Sequence, residues 1–392
     1  MLAIVNGTVL PVIGKRFTNG VILIDKGKIK SLGPDIRIPK GSKVISAKRK
    51  YVLPGLVEAH SHLGVSEVGI RIEGYDYNEI SDAVNPHLRA VDGLNPREKG
   101  FEYARCGGVT TAAVAPGSAN PLGGAVTVVK TIGTVVDEMI VRELAGIKAA
   151  FGENPKFVGR DLKRAPWTRM STAAFLRAAL VKTQNHLKNR AWAARKKDRP
   201  PDRDLLCESL IPVLERRIPL RVHAHRADDI VTAVRIAEEF DVRVVFEHGT
   251  EAYTIIDWFK RKKIPVVAGP ALGTPTKVET QALSFKALKV YQDNGVLFAI
   301  TTDHPFSGIQ YLLLCAIMGV REGLSETDAL RAVTINPARI LGLDKRLGSL
   351  ERGKDADIVI MSGDPFDARS RVEKTIINGK VAFDLEHDGT PF

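Results

Sequence analysis

Residues 51–64, YVLPGLVEAHSHLG, run from an apolar stretch into two histidines one residue apart, His60 and His62. Successive side chains of a strand point to opposite faces, so an H-x-H pair at a strand end aims both imidazoles at one point. The same pattern recurs downstream. PLRVHAH (219–225) ends in His223 and His225, VRVVFEHG (242–249) carries His248, and GVLFAITTDHP (295–305) carries Asp303 and His304. Four further apolar runs, GVTTAAVAP (108–116), TVVKTIG (127–133), LAGIKAAFG (144–152) and IPVVAGPAL (264–272), read as strands too. Eight such runs over ~250 residues, separated mostly by amphipathic stretches such as ADDIVTAVRIAEEF (227–240), predict an α/β fold: a (β/α)8 TIM barrel over residues 51–345. In that architecture chemistry gathers where strands end and loops begin, which is where these polar residues lie.

Outward from the barrel the rhythm changes. Residues 1–50 alternate short apolar segments with turn residues such as Asn6-Gly7 and Lys26-Gly27, and residues 346–392 repeat that style in DADIVIM and VEKTIINGKVAF. Neither end is long enough for a core of its own, so the two are expected to pair as one small β-sandwich domain.

The chain has 392 residues, 57 Lys and Arg against 45 Asp and Glu, and a formal net charge of +12. Residues 156–203 hold fourteen of those cations against three acids, Asp161, Asp198 and Asp202, so nearly the whole excess is local. The segment reads as a basic helical insertion with Phe175, Leu176, Ala179, Leu180, Thr183 and Leu187 at helical spacing on its packing face. A solvated face, a substrate lid and a subunit contact are its three readings. Aromatic interleaving and any known nucleic-acid module are absent, so nucleic acid is not the expected partner. No apolar run spans a membrane and the start lacks a secretory signal, which predicts no membrane partner and a cytoplasmic protein. Three scattered cysteines, Cys106, Cys207 and Cys315, form no thiolate site, so a bound metal must be held by nitrogen and oxygen.

A lone strand-end histidine is usually a hydrogen-bonded structural residue, and His87, His186 and His387 keep that reading. Five histidines and an aspartate at successive strand ends are different, because burying unpaired imidazoles together is unfavourable unless a metal satisfies them.

On these residues the chain resembles the amidohydrolase superfamily of metal-dependent hydrolases. VLPGLVEAHSHLG is similar to its first strand, RVHAH and FEHG to its fifth and sixth, TTD to its eighth, and NPARILGLDKRLGSLERGKDADIVIM to the return from barrel to small β domain. HAH followed by EHG resembles the imidazolonepropionase-related branch, which includes dipeptidases. The resemblance implies that His60 and His62 bind one metal and that His223 and His248 bind a second. It makes Asp303 both a ligand and the catalytic base. His225, Glu153 and His304 fall to substrate contact or to support of the ligands. It also implies a bridging ligand: a carboxylated Lys148 first, Glu153 second and Lys130 third.

The implied activity is hydrolysis of a C–N bond in an amide, cyclic amide or small peptide, with one or two divalent ions, zinc foremost, and a homo-oligomeric assembly. A mononuclear imidazolonepropionase-like or deaminase activity is the alternative within the class. A non-catalytic structural or interaction protein on the same scaffold is the alternative outside it.

Overall fold

The computed structural model describes residues 1–391. The terminal segments meet in one hydrogen-bonded sheet of eight strands: Leu2–Val9, Phe17–Asp25, Lys28–Gly33, Lys43–Ser46 and Tyr51–Pro54 from the start of the chain, and Ile358–Met361, Val372–Ile377 and Lys380–Asp384 from its end. Ile358 lies opposite Pro54 and Met361 opposite Tyr51, which is the seam between the two halves. Ile4, Ile22, Ile24, Val52, Ile358 and Ile376 form a core of this sheet's own. The strand Tyr51–Pro54 belongs to it, so the chain leaves for the second sheet at Gly55.

The second sheet has eight strands in sequence order: β1 (Leu56–Ser61), β2 (Val109–Val114), β3 (Leu122–Lys130), β4 (Ile140–Ala150), β5 (Leu220–Ala224), β6 (Val244–His248), β7 (Val266–Ala268) and β8 (Phe298–Ile300). Its two edges approach each other: Thr301 Oγ1 donates to the His60 carbonyl at 2.7 Å, and the His62 amide donates to the His304 carbonyl at 2.8 Å. The result is a nearly closed barrel.

One part of the expected (β/α)8 pattern is corrected. β3 runs antiparallel to both β2 and β4, with Thr111 opposite Lys130 and Val128 opposite Arg142. Residues 115–121 and 131–139 connect these strands, and a parallel return needs a crossover of about a dozen residues or more. The chain therefore doubles back twice, and only the other neighbouring pairs are parallel.

The basic segment supplies the connection from β4 to β5. It contains α1 (Glu153–Asp161) and α2 (Arg169–Lys196), and α3 (Leu205–Leu214) follows. Thr168 caps α2 by accepting from the Ser171 amide at 3.1 Å, and Thr172, Ala173, Leu176, Ala179, Leu180 and Thr183 form its buried stripe. Phe175 and Leu187 are only half-buried. Arg169 and Arg177 pair with Asp229 and Glu239 of α4 (Ala227–Glu239), and Lys182 pairs with Asp204. The distal turns present Lys188, Arg190, Arg195 and Lys196 to solvent. No described helix is long and apolar enough to cross a membrane.

Lys130, third candidate for the bridging ligand, lies elsewhere. Its ammonium pairs with Asp357 and, at 3.0 Å, with Asp355, tying the end of β3 to the terminal sheet. All three side chains are buried. Lys130→Met leaves Asp357 without its cation, and loss of one partner of a buried pair costs about 3–5 kcal/mol. Urea denaturation of the variant is expected to show a loss of that size.

Candidate active site

A cavity of about 620 Å³ opens at the barrel mouth, and its walls include His60, His62, Lys148, His223, His225, His248 and Asp303. The structure brings these into two groups. His60, His62 and Asp303 form one and His223, His225 and His248 the other, with donor atoms within 4.8 Å of one another inside each. Asp303 Oδ1 is 3.2 Å from His60 Nε2 and 3.4 Å from His62 Nε2. Lys148 Nζ is 3.4 Å from His60 Nε2, and the His60 and His248 ring centroids are 5.5 Å apart. The groups are adjacent.

Strand geometry positions each side chain. Along β5 and the residue that follows it, Arg221, His223 and His225 alternate with Leu220, Val222 and Ala224, which pack into the main apolar core. His248 at the end of β6 and Asp303, three residues beyond β8, have φ of +71° and +51°, in the left-handed region that non-glycine residues seldom adopt. This turns the backbone sharply as β6 and β8 end.

Hydrogen bonds then fix the rings. Nδ1 of His62 donates to the Ala115 carbonyl at 2.8 Å, and Nδ1 of His248 donates to the Gly269 carbonyl at 2.6 Å. Nδ1 of His225 lies 2.7 Å from Thr250 Oγ1. Behind His60, Nδ1 is 3.5 Å from Glu247 Oε2, and Glu247 is in turn held by the fully buried Arg221, which also donates to the Ala59 carbonyl at 2.7 Å. With Nδ1 of His62, His225 and His248 engaged, Nε2 is left as their ligand atom.

Electrostatics favour that role. Burial lowers His60 to about 4, assisted by the Lys148 charge, and burial lowers His225 to about 4. Burial holds His223 and His248 well below the ordinary imidazole value, with neighbouring histidines adding to the effect. Neutral imidazoles offer lone pairs. Burial would raise Asp303, but the adjacent His60 and His62 outweigh it and hold the carboxyl well below its usual range. Burial pulls Lys148 down to about 8.

These residues fit a divalent cation. Asp303 Oδ1 and Glu279 Oε1 are buried without a well-formed hydrogen bond, although each faces imidazole nitrogens. Such orphaned acceptors are rare in folded proteins, and a cation among neutral imidazoles and a carboxylate satisfies them.

Two other sequence candidates stand apart from the cavity. The Glu153 amide donates to Glu279 Oε2 at 2.8 Å, and Glu153 is not among the cavity walls. His304 is buried beneath the mouth, where its Nδ1 accepts from the Ile309 amide at 3.2 Å. Lys148, by contrast, enters the cavity next to His60.

Sequence reasoning passed over Glu247, Glu279, Asn154 and Lys277. Glu247 was signalled by its place beside His248 in FEHG. It also lies directly across from His223 on β5. Glu279 lies in a single 3-10 turn, Val278–Thr280, with Lys277 as its N-cap, too short for any periodicity, and only their three-dimensional placement shows that they reach the site.

Comparison with known proteins follows this geometry. The sequence pattern described as the amidohydrolase family matches residues 51–382. Amidohydrolase tasK of Hapsidospora irregularis is 29% identical over 95% of this chain, which spans 41% of that longer protein. A dihydroorotase of Geobacter metallireducens is 24% identical, covering 87% of this chain and 84% of its own. An imidazolonepropionase of Legionella pneumophila is 21% identical over 92% of each chain. A crystal structure of an amidohydrolase from Thermotoga maritima superposes with a TM-score of 0.95 at 43% identity, covering 98% of this chain and all of that one.

Glu247 gives the geometry a test. Glu247→Gln removes the carboxylate charge behind His60, and loss of such support typically weakens metal binding about 10–100-fold. Competition with a chromophoric chelator is expected to read a loss in that range.

Proposed function

The chain belongs to the amidohydrolase family, hydrolases that act on C–N bonds, and from that premise we propose that it is a metal-dependent hydrolase of amides, cyclic amides or small peptides. The observation that carries this reading is the pair of adjacent donor groups in one cavity, His60 with His62 and Asp303, and His223 with His225 and His248. Two groups favour two ions over the mononuclear alternative.

In this reading His60, His62 and Asp303 hold one divalent cation, zinc being the best match to the imidazole-rich donors, and His223 and His248 hold the second. His225 completes the second group or meets the substrate. Lys148 lies beside His60, and its lowered pKa of about 8 leaves part of the amine neutral at physiological pH. A neutral amine can add carbon dioxide. The resulting carbamate would make Lys148 an anionic bridge in place of a buried cation.

Bound cations supply Lewis acidity, lowering the pKa of water and polarising the scissile carbonyl. Asp303 does the proton work. Its carboxylate is held ionised, so it would accept the proton of the attacking water and deliver it to the departing nitrogen. Arg221 and Glu247 keep His60 in one orientation while this happens. No serine or cysteine nucleophile is called for.

Three measurements test the proposal together. Elemental analysis is expected to find two divalent ions per chain. Chelation should abolish hydrolysis of a panel of simple amides and dipeptides and lower the melting temperature, since a ligand at a thousand times its Kd stabilises by about 4 kcal/mol. Asp303→Asn should reduce kcat by about 10²–10⁴-fold. A chelator that leaves turnover and melting unchanged overturns the reading.

A further inference from the structure

Resting on the amide-hydrolase reading above, we propose that Lys277 and Asn154 form a carboxylate-binding subsite, and that the substrates are amides bearing a carboxylate beside the scissile bond and an apolar side chain. N-acylated amino acids and dipeptides are the class that meets both demands.

The charge inventory of the cavity leads here. Its charged wall residues are Lys148, Asp303 and Lys277. Lys148 and Asp303 belong to the donor groups around His60. Lys277 is left over. Its ammonium donates to Asn154 Oδ1 and, among the described residues, has no carboxylate within ion-pair distance. An ammonium that meets only a neutral amide retains donors for a ligand, and an anion is the ligand that benefits most.

Location supports the same assignment. Asn154 Nδ2 donates to Ser118 Oγ at 2.6 Å and sits 3.4 Å from His223 Nε2. One amide side chain therefore separates the ammonium from the second donor group, a span suited to a carboxylate one or two bonds from a carbonyl held there. The position is also anchored. Lys277 is two residues from Glu279, whose Oε2 accepts the Glu153 amide, and Gly152 leaves room for it: a Cβ at Gly152 would lie 2.4 Å from Glu279 Oε2. The Lys277 loop is thus pinned to the end of β4, and Asn154 is on α1 immediately beyond.

The other walls describe the rest of the substrate. Phe157, Val158, Leu272, Leu283 and Phe306 line the cavity and suit an apolar side chain. Phe157 and Phe306 are 48% and 63% exposed, so an apolar group entering between them would cover surface now open to water.

The test uses the metal-loaded full chain and matched pairs of apolar dipeptides and N-acyl amino acids, each as the free carboxylate and as the carboxamide. The carboxylate member is expected to be preferred by about 10–100-fold in kcat/KM, the size of one charge-assisted hydrogen bond. Lys277→Met should erase that preference, with Lys277→Arg retaining most of it. Hydrolysis that ignores the carboxylate, or a preference that survives Lys277→Met, overturns this subsite and leaves the hydrolase reading intact. Absence of any amide turnover overturns the hydrolase reading. In that event calorimetric binding of N-acetyl-leucine decides the subsite: binding lost in Lys277→Met and kept in Lys277→Arg supports it, and no binding, or binding that survives Lys277→Met, overturns it.

Discussion

Seven polar side chains are buried together at the mouth of one barrel, and the cost of desolvating them governs the surrounding structure. His60, His62, Lys148, His223, His225, His248 and Asp303 are all less than 10% exposed. Charged imidazoles so placed would repel one another and lose their hydration, so His60, His223, His225 and His248 are pushed toward the neutral form. Neutral rings still need partners for both nitrogens. The barrel supplies one side of three of them, through the carbonyls of Ala115 and Gly269 and the Thr250 hydroxyl, and sets the Glu247 carboxylate 3.5 Å from His60 Nδ1. The remaining nitrogens converge with the Asp303 carboxylate at the mouth. A cluster satisfied on its outer side and open on its inner one is what a metal-binding centre requires, and what a purely structural polar core would avoid.

Backbone conformation is part of the same constraint. His248 and Asp303 occupy left-handed conformations, each of which costs about 1 kcal/mol or more for a non-glycine residue. The surrounding bonds over-determine them. Thr301 receives the Asp303 amide at 2.9 Å while its own hydroxyl is donated to the His60 carbonyl, so one threonine links the last strand to the first just where Asp303 is displayed. Glu58 extends this seam. It accepts the Thr302 amide and hydroxyl at 2.9 and 2.7 Å, and burial raises its carboxyl to about 7. Closure of the barrel and presentation of Asp303 are therefore served by the same bonds.

How far all this was legible in the sequence depends on whether a residue's role was carried by local periodicity. The H-x-H pairs were readable because strand parity makes i and i+2 neighbours. Lys148 was readable because a long cation inside an otherwise apolar strand calls for an explanation. The reversal of β3 was less so, since a strand's composition does not state its direction; the shortness of residues 115–121 and 131–139 carried the information instead. Lys130 shows the same limit from the other side. By sequence it resembles Lys148, a lysine ending an apolar strand, and only the partner brought from residues 355–357 separates a structural ion pair from a ligand candidate. The pairing crosses more than two hundred residues, beyond the reach of any local pattern.

Loop residues define the other boundary. Lys277 and Glu279 have no periodicity to announce them, and Glu279 reaches His223 and His225, each at 3.9 Å, only because Gly152 presents no side chain in its path. A barrel whose strands carry the donor groups can exchange such loops without disturbing them, because the ring-fixing carbonyls at Ala115 and Gly269 follow directly on β2 and β7. Chemistry and selectivity are thereby placed on different parts of the chain. In the proposed reading the strand ends set what kind of bond can be broken, and the walls between Asn154 and Phe306 set which molecule presents it. The long basic crossover helix belongs to neither set: its proximal half packs through Leu176, Ala179 and Leu180, its cations pair with α4 or face solvent, and the segment touches the cavity only through α1. The net charge of +12 is accordingly a property of the outer surface, whereas the cavity wall carries the Lys277 ammonium, which donates to Asn154 Oδ1.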